Sequence, residues 1–270
     1  MKAHSVLLAL FLLIGYTINI VAQVDRNLRF THLTNDNGLP TNTIYSLCQD
    51  FKGFIWIATA NGLCKYDGRS ISVYEVEPTK GERKKGGIIR HVFEDKRHRL
   101  WVITHKGVNL YNRNKDNFNF VSVDSLNNFS RVIYQDDKGK IYMGGSGAFI
   151  YNEQTSKFDP FYVNQDETIT AFITAITSDQ KGQMWFGRMY GGLICADVEN
   201  GKLTRYKHND HNINSLISNK VTSLFTDHHG RIWIGTEDKG ICYFDSSTNK
   251  FIRIEGFPQI CVRTFAEDAE

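Results

Sequence analysis

The chain has 270 residues, enough for one large domain or two small ones, and 41% of them are hydrophobic. Only 4 Pro accompany 22 Gly, 18 Phe and 12 Tyr, a balance that favours many short strands joined by glycine turns, so we expect an all-β protein. The formal net charge of +3 comes from 32 basic and 29 acidic residues spread along the chain, too small and too mixed to indicate nucleic-acid binding.

The first segment of the chain is MKAHSVLLALFLLIGYTINIVAQ. It has the succession of basic, apolar and small residues that is typical of a secretory signal peptide. A basic start precedes an apolar run from Val6 to Ile14, and the small residue Ala22 ends the segment. An uncleaved membrane anchor is the alternative, but Tyr16 and the polar residues after it leave the run short for a membrane span. We therefore predict a signal peptide over residues 1–22 and a soluble, exported chain from residue 23.

The cysteines favour neither a metal site nor a disulfide framework. Their number is odd and no C-x-x-C pair occurs, so we expect no metal and no cofactor, and we interpret the cysteines as small buried hydrophobic residues. They are Cys48, Cys64, Cys195, Cys242 and Cys261.

A motif recurs five times from residue 50 onward, at a spacing of roughly 45 residues that is typical of propeller blades or solenoid units. In chain order the copies are DFKGFIWIATANG, DKRHRLWVITHKG, DDKGKIYMGGSG, DQKGQMWFGRMYGG and DHHGRIWIGTEDKG. Each copy has an aromatic anchor: Trp56, Trp101, Tyr142, Trp185 and Trp233. An aspartate lies six residues before each anchor: Asp50, Asp95, Asp136, Asp179 and Asp227. Gly sits three residues before the anchor in four copies, and His98 replaces it in the second.

Hydrophobic alternation predicts four strands in every unit. In the last unit these are KVTSLFTD, RIWIGT, ICYFD and KFIRI, separated by short polar turns. Four antiparallel strands per unit are typical of a propeller blade, and a solenoid is the less fitting alternative. We predict blades at about 42–77, 88–123, 129–163, 170–207 and 219–255, with a sixth beginning near residue 260, hence an incomplete ring of five blades plus the start of a sixth.

The repeated residues are interpreted as structural. The aspartate is expected to accept backbone N–H groups of the tight turn that follows it, and the glycine to relieve that turn of steric strain. The aromatic anchor is expected to fill the space between blades, where losing a Trp ring would cost about 3–5 kcal/mol. His228 and His229 stand where the other copies carry unrelated side chains, so we interpret Asp227 to Gly230 as a turn and not as a metal or acid–base site.

The pattern D-x-x-G-x-[IL]-W-[IV]-x-T, preceded by N-x-[IV]-x-S-L and followed by G-[LI]-x-x-[YF]-[DN], resembles the two-component regulator propeller repeat. The most similar copies are Asn42 to Gly68 and Asn219 to Asp245, and the resemblance extends from about Leu28 to the C-terminus. Such repeats are known from the periplasmic sensor region of hybrid two-component proteins of Bacteroidetes. That family places two seven-bladed propellers before a β-sandwich, a membrane helix and a histidine kinase, and many members respond to oligosaccharides.

The resemblance implies a periplasmic sensor of an oligosaccharide or other small-molecule ligand, whose parent protein is homodimeric and anchored in the inner membrane. The sequence ends at CVRTFAEDAE, the first strand of a sixth unit. We therefore expect an N-terminal fragment whose partners are the C-terminal propeller, membrane and kinase regions of the same protein. A secreted propeller that acts as a protein-interaction scaffold is the alternative. No nucleic acid is expected to contact this part.

Ligand contacts are expected on the loops after the second strands and on the blade-to-blade connections, which vary against a constant scaffold. Arg188 and Tyr190 offer a hydrogen-bonding fork and an aromatic face for a sugar. The other candidates at the same end of the propeller are His105, Lys106, Glu237 and Asp238.

Two further polar segments are not interpreted as sites. The basic loop at Pro78 to Gly87 is interpreted as a solvated connection. The HNDH cluster at His208 to His211 is interpreted as a turn. Hydrolase, metalloprotease, nucleotide-binding and calcium-loop motifs are missing, so no catalytic residue is predicted.

Overall fold

The computed structural model describes residues 31–76, 87–104, 106–123, 130–161, 169 and 171–268. Residues 34–270 form one compact unit, and the description that follows concerns this unit. The predicted signal peptide, candidate residue His105 and most of the basic loop after Pro78 lie outside the described residues.

In the part of the chain that the structure describes, twenty strands form five four-stranded antiparallel sheets, and in every sheet the strand order follows the chain. The first blade contains β1 (Ile44–Gln49), β2 (Ile55–Thr59), β3 (Gly62–Tyr66) and β4 (Ile71–Tyr74). The second contains β5 (Ile89–Glu94), β6 (Leu100–Thr104), β7 (Val108–Asn112) and β8 (Asn117–Val121). The third contains β9 (Ser130–Gln135), β10 (Ile141–Gly145), β11 (Ala148–Asn152) and β12 (Lys157–Pro160).

The fourth blade contains β13 (Ile173–Ser178), β14 (Met184–Arg188), β15 (Gly192–Asp197) and β16 (Lys202–Tyr206). The fifth contains β17 (Val221–Thr226), β18 (Ile232–Thr236), β19 (Ile241–Asp245) and β20 (Lys250–Arg253). These sheets confirm the predicted all-β propeller of four-stranded blades. Within the described residues, no helix is long and apolar enough to cross a membrane.

The first strands of consecutive blades contact one another and are therefore the innermost strands. The second strands are buried on both faces, as in β6, where all five residues are buried. This double burial follows from the position of a blade between two neighbours, because alternate side chains of one strand pack against opposite blades. Trp101 and Ile103 face the third blade, whereas Leu100 and Val102 face the first.

Among the described residues, four hydrophobic clusters join the five blades, one between each consecutive pair. Trp56 and Tyr111 belong to the cluster between the first and second blades, and Trp101 and Phe158 to the next. Tyr142 packs with fourth-blade residues in the third cluster, and the last lies between the fourth and fifth blades. The core of the molecule is thus a series of interfaces between sheets.

Each innermost strand carries a β-bulge after its first residue. The register passes from Ile44 to Ser46 in β1 and from Ile173 to Ala175 in β13, which leaves one residue between them unpaired. A bulge bends the strand and redirects the side chain of the extra residue. The same distortion therefore occurs at the same place in all five blades.

The segment Pro258 to Asp268 follows the fifth blade and lies along its innermost strand. The Val262 amide donates to the Thr236 carbonyl at 3.0 Å. The Val262 carbonyl accepts from the hydroxyls of Thr222 and Ser223 at 2.6 and 3.0 Å. This is the region where the sequence predicts the start of a sixth unit.

Candidate ligand-binding site at the loop end of the propeller

The repeated aspartates each link a tight turn to an aromatic anchor. In the fourth blade, Asp179 Oδ1 accepts from the backbone N–H groups of Lys181 and Gln183, both at 2.9 Å. Its Oδ2 accepts from Trp185 Nε1 at 3.2 Å. The other blades repeat the bond from anchor to aspartate, with distances of 3.0 Å at Trp56, 2.9 Å at Trp101, 3.2 Å at Tyr142 and 2.8 Å at Trp233. The bond across the turn, which sequence reasoning missed, explains the constant spacing of six residues.

The residue three positions before the anchor has a left-handed backbone in every blade. The four glycines have φ between 77° and 86°, and His98 has φ 62°. Glycine adopts this region without steric cost, and histidine is among the side chains that tolerate it best. The turn geometry is therefore constant even where the glycine is replaced.

The end of the propeller that carries these turns, called here the Asp-turn end, also holds ion pairs between blades. Arg113 of the second blade donates to Asp50 Oδ2 of the first at 2.9 Å and to Glu94 at 2.5 Å. Arg99 of the second blade bonds both carboxylate oxygens of Glu153 of the third, at 2.9 and 2.8 Å. Sequence reasoning did not anticipate these contacts.

A depression of about 500 Å³ opens at the Asp-turn end, beside Phe51, Glu94, Lys96 and His98. The Phe51 ring lies 4.4 Å from the His98 ring. The carboxylate of Glu94 is already engaged by Arg113 and by the Phe51 amide at 2.7 Å. Because its charged groups satisfy one another, the depression has little bonding capacity left for a ligand.

The opposite end, called here the loop end, carries the loops after the second strands and the blade-to-blade connections. A threonine hydroxyl closes three of these loops by donating to a glycine carbonyl: Thr59 to Gly62 at 2.8 Å, Thr104 to Gly107 at 3.3 Å, and Thr236 to Gly240 at 2.9 Å. Their backbones are thereby held in one conformation. Side chains between the threonine and the glycine are free to differ from blade to blade.

Arg188 and Tyr190 differ sharply in availability. The Tyr190 side chain is exposed, with 78% of its surface accessible. Arg188 is partly buried at the end of β14 and folds back onto its own loop, where Nη2 donates to the Gly191 carbonyl. Burial, followed by the charge of Arg205, lowers the pKa of Arg188. Its Nε is buried and makes no hydrogen bond with a described residue.

Glu237 and Asp238 form a separate group in the fifth blade. Lys220 Nζ lies 3.5 Å from Glu237 and 3.4 Å from Asp238, and Ser218 donates to Asp238 at 2.7 Å. Lys106 lies in the loop of the second blade, where its amide donates to the Thr104 hydroxyl at 3.1 Å. No hydrogen bond or ion pair between described residues joins these three to Arg188 or Tyr190. The described candidates thus lie at the loop end without forming a single cluster.

The two histidine clusters are parts of turns. His208 contacts the Leu216 carbonyl at 2.7 Å and Asp210 at 2.9 Å, which closes the loop between the fourth and fifth blades. His228 lies 2.5 Å from Glu267, and its ring packs on His229 at 3.6 Å. In the part of the chain that the structure describes, no group of three or more His, Cys, Asp or Glu side chains has the arrangement of a metal site.

The bulge residues of the innermost strands are candidates that sequence reasoning missed. They are Tyr45, Arg90, Arg131, Thr174 and Thr222. The Arg90 guanidinium lies 5.4 Å from the centre of the Tyr45 ring, and that of Arg131 lies 5.8 Å from the Phe172 ring. The first residues of these strands lie at the loop end, so these side chains stand near its centre. Alignment of the five units at their first strands would have shown two arginines at one position.

Known proteins match both the repeats and the fold. A family model described as "Two component regulator propeller" matches residues 38–61 and 215–238, which contain the first and fifth copies of the motif. These two segments of the chain are similar to the two-component regulator propeller repeat. The matched segments run through the first and second strands of their blades and include Asp50, Trp56, Asp227 and Trp233. No curated protein is detectably similar to the chain.

Solved propeller structures share the fold of this chain. The extracellular domain of a protein assigned as a hybrid two-component system of B. thetaiotaomicron superimposes with a TM-score of 0.69 at 24% identity, over 82% of this chain and 31% of that one. A second such domain from the same organism gives 0.66 at 21% identity, over 84% and 29%. This chain therefore spans about a third of the length of either domain.

An enzyme has the same fold at lower identity. Virginiamycin B lyase from Staphylococcus aureus, solved with quinupristin, gives a TM-score of 0.63 at 14% identity, over 87% of this chain and 76% of that one. At these identities the likeness shows the fold alone. Function therefore has to be argued from the repeats and from the side chains at the loop end.

Proposed function

We propose that this chain is the exported, ligand-sensing propeller of a hybrid two-component signalling protein, and that it binds an oligosaccharide at the loop end. The observation that carries the proposal is the presence of two-component regulator propeller repeats in a fold shared with extracellular domains of such systems. The secretory character of the first 22 residues supports a periplasmic location. No catalytic role is assigned to the chain.

The loop end is the better place for a ligand because it presents an exposed aromatic side chain, whereas the charged groups of the Asp-turn end bond one another. At the Asp-turn end the repeated aspartates are occupied by turn amides and anchors, and Glu94 and Glu153 are occupied by arginines. At the loop end Tyr190 presents an exposed ring, and the loop backbones are held by threonine hydroxyls. A rigid scaffold with variable side chains is the usual arrangement of a binding face.

Thermal unfolding of the 270-residue chain in the presence of oligosaccharides tests the proposal. A ligand at 100 times its dissociation constant stabilises the folded state by about 2.7 kcal/mol, which raises the melting temperature by several degrees. We expect at least one neutral or acidic oligosaccharide to give a saturable shift. Tyr190→Ala should weaken that shift, and His229→Ala, at the Asp-turn end, should leave it unchanged.

Two results would contradict the proposal. If no oligosaccharide changes the melting temperature while a peptide or protein does, the scaffold alternative is supported. If a saccharide binds but only His229→Ala weakens it, the site lies at the Asp-turn end.

A further inference from the structure

A backbone hydrogen bond repeats at the loop end and brings the same positions together in different blades. It joins the loop after the second strand to the residue before the innermost strand. In the fourth blade the Met189 amide donates to the Phe172 carbonyl at 3.2 Å. In the fifth blade the Glu237 amide donates to the Lys220 carbonyl at 2.9 Å. The residue before the innermost strand therefore lies beside the first residues of the loop in both blades.

The fifth and first blades fill these positions with polar or small side chains. In the fifth blade Lys220 Nζ lies 3.5 Å from Glu237 and 3.4 Å from Asp238, so the charges satisfy one another. In the first blade the same backbone bond joins Ala60 to the Thr43 carbonyl at 3.1 Å. Neither blade presents an apolar surface there.

The fourth blade fills the same positions with apolar and aromatic side chains. They are Phe172, Met189 and Tyr190, called here the fourth-blade patch. Phe172 is 38% exposed and Tyr190 is 78% exposed, and Met189 is half-buried. One backbone geometry thus carries an ion-pair group in one blade and an exposed apolar patch in its neighbour.

The loop that carries Tyr190 is held in place at both ends. Arg188 stands at the position of the loop-closing threonine and donates through Nη2 to the Gly191 carbonyl. A Cβ at Gly191 would lie 2.5 Å from the guanidinium carbon of Arg188, so glycine makes room for this contact. The Gly192 amide donates to the Asn219 carbonyl at 2.9 Å. Arg188 is therefore a positioning residue, and the loop is ordered before a ligand binds.

The fourth-blade patch has the area of a small ligand and not that of a protein partner. An aromatic side chain has about 150–250 Å² of surface, so the exposed parts of the patch amount to something on the order of 300 Å². A stable protein interface buries about 800 Å² per partner. Charged groups border the patch, since Asn219 leads into Lys220 on one side and the Arg131 guanidinium lies 5.8 Å from the Phe172 ring centre on the other.

A flat apolar surface with a polar border fits a pyranose ring. Such a ring has faces of C–H bonds and a rim of hydroxyl groups, so one face can lie against an aromatic side chain while the rim bonds polar neighbours. The three side chains of the fourth-blade patch carry no charge. A carboxylate or sulfate placed on them would lose hydration without gaining an ion pair from the patch. The chemistry therefore favours a neutral sugar.

We propose that the fourth-blade patch is a stacking subsite for one pyranose ring of a neutral oligosaccharide. Phe172 and Tyr190 lie against the C–H face of the sugar, and the bordering charged groups lie toward its hydroxyls. This inference rests on the proposed function and specifies its ligand class and the blade that binds it.

Calorimetric titration of the 270-residue chain tests the ligand class. The probes are the neutral β-1,4-linked tetrasaccharides of glucose, xylose and galactose, and trigalacturonate as the acidic probe. We expect at least one neutral tetrasaccharide to bind more tightly than trigalacturonate. Titrations at three temperatures should give a negative heat-capacity change, which marks the burial of apolar surface.

Single substitutions test the two rings. Phe172→Ala and Tyr190→Ala should each weaken binding of that tetrasaccharide roughly fivefold or more, because each removes an aromatic face. Tyr190→Phe keeps the ring and should change the affinity less than about twofold. Phe51→Ala is the matched control, since it removes a ring that is 51% exposed at the Asp-turn end, and it should leave the affinity unchanged.

A combined variant tests the patch without relying on truncations. Phe172→Lys, Met189→Glu and Tyr190→Asp together give the fourth blade the side chains that the fifth carries at the same positions. We expect this variant to melt within a few degrees of the wild type and to bind the neutral tetrasaccharide at least tenfold more weakly. If it melts far lower, the single substitutions decide.

The other outcomes separate this inference from the proposed function. A neutral tetrasaccharide that binds equally well to the wild type, Phe172→Ala and the combined variant would overturn the subsite and leave oligosaccharide sensing intact. Binding of trigalacturonate alone would overturn the neutral ligand class and also leave sensing intact. No binding of any probe would overturn both.

Discussion

At the residue scale, the repeated aspartate works because it has two acceptor oxygens. One oxygen accepts turn amides and the other accepts the N–H or O–H of the anchor, as Asp136 does for Lys140 and Tyr142. This explains why the anchors are Trp and Tyr, which can donate, and not Phe. The buried carboxylate also keeps its charge: burial opposes ionisation of Asp50, but bonds from Trp56, Arg113 and turn amides outweigh it and lower its pKa.

Asp179→Asn tests this bonding. The amide keeps only one acceptor, so either the turn amides or Trp185 Nε1 must lose a partner, and a buried unsatisfied donor costs about 1–3 kcal/mol. We expect the free energy of unfolding in urea to fall by that amount. Asp137→Asn is the control, because the Asp137 side chain is exposed and pairs at the surface with Lys96 at 3.8 Å, a contact worth less than about 1 kcal/mol. Equal effects of the two substitutions would refute the proposed role of Oδ2.

Single side chains show where prediction from sequence succeeds and where it stops. The turn role of Asp227 was predictable because five copies show which neighbours vary, and the turn amides are its nearest donors. The bond to Trp233 was not predicted, because hydrophobic alternation places the indole between blades but does not orient its N–H. Arg131 was missed for another reason: a bulge changes where a side chain points, and hydrophobic alternation does not predict bulges.

At the element scale, the innermost strands are joined by polar contacts as well as by packing. His91 of β5 accepts the Ile133 amide of β9 through Nδ1 at 3.3 Å. Acceptance requires that Nδ1 carry no proton. Burial lowers the pKa of His91 to about 4, so the ring is neutral in the folded chain at pH 7. The contact between the second and third blades is therefore sensitive to acid.

The pH dependence of unfolding follows from this shift. In the unfolded chain the His91 pKa returns to about 6.5, so below that pH the unfolded state binds a proton that the folded state excludes. Stability should fall as the pH drops from about 6.5 to about 4, by roughly 1–3 kcal/mol. Urea unfolding at pH 7, 5.5 and 4.5 measures it, with His91→Gln as the comparison. If the variant loses as much stability as the wild type over this range, His91 is not the responsible group.

The strands themselves were predicted well, because each carries period-two alternation and is bounded by a turn with a physical signature. KVTSLFTD contains β17 and ICYFD coincides with β19. The contacts between blades were harder to predict from the sequence. The ion pairs Arg113 with Asp50 and Arg99 with Glu153 join residues 63 and 54 positions apart, and no local pattern predicts which turns face each other.

At the scale of the whole molecule, the propeller behaves as a row of units, each stabilised by its neighbours. Four clusters join five blades, so in the described residues the second, third and fourth blades are packed on both faces and the first and fifth on one. Trp101 in the second blade is fully buried, whereas Trp233 in the fifth is partly exposed. Stability in such arrays is approximately a sum of unit and interface contributions. It should therefore be highest in the middle.

Hydrogen exchange measures this gradient directly. The second strands β2, β10 and β18 form a matched set, because each is hydrogen-bonded on both edges within its own sheet. Opening the third blade disrupts two interfaces and opening the first or fifth disrupts one, so amides of β10 should exchange more slowly than those of β2 and β18. Since each 1.4 kcal/mol of additional opening free energy slows exchange about tenfold, the difference should reach at least that factor. Equal protection of the three strands would show that the blades unfold as one cooperative unit. In that case a ligand at the loop end would stabilise every blade equally, whereas a gradient would confine its effect to the blades that it contacts.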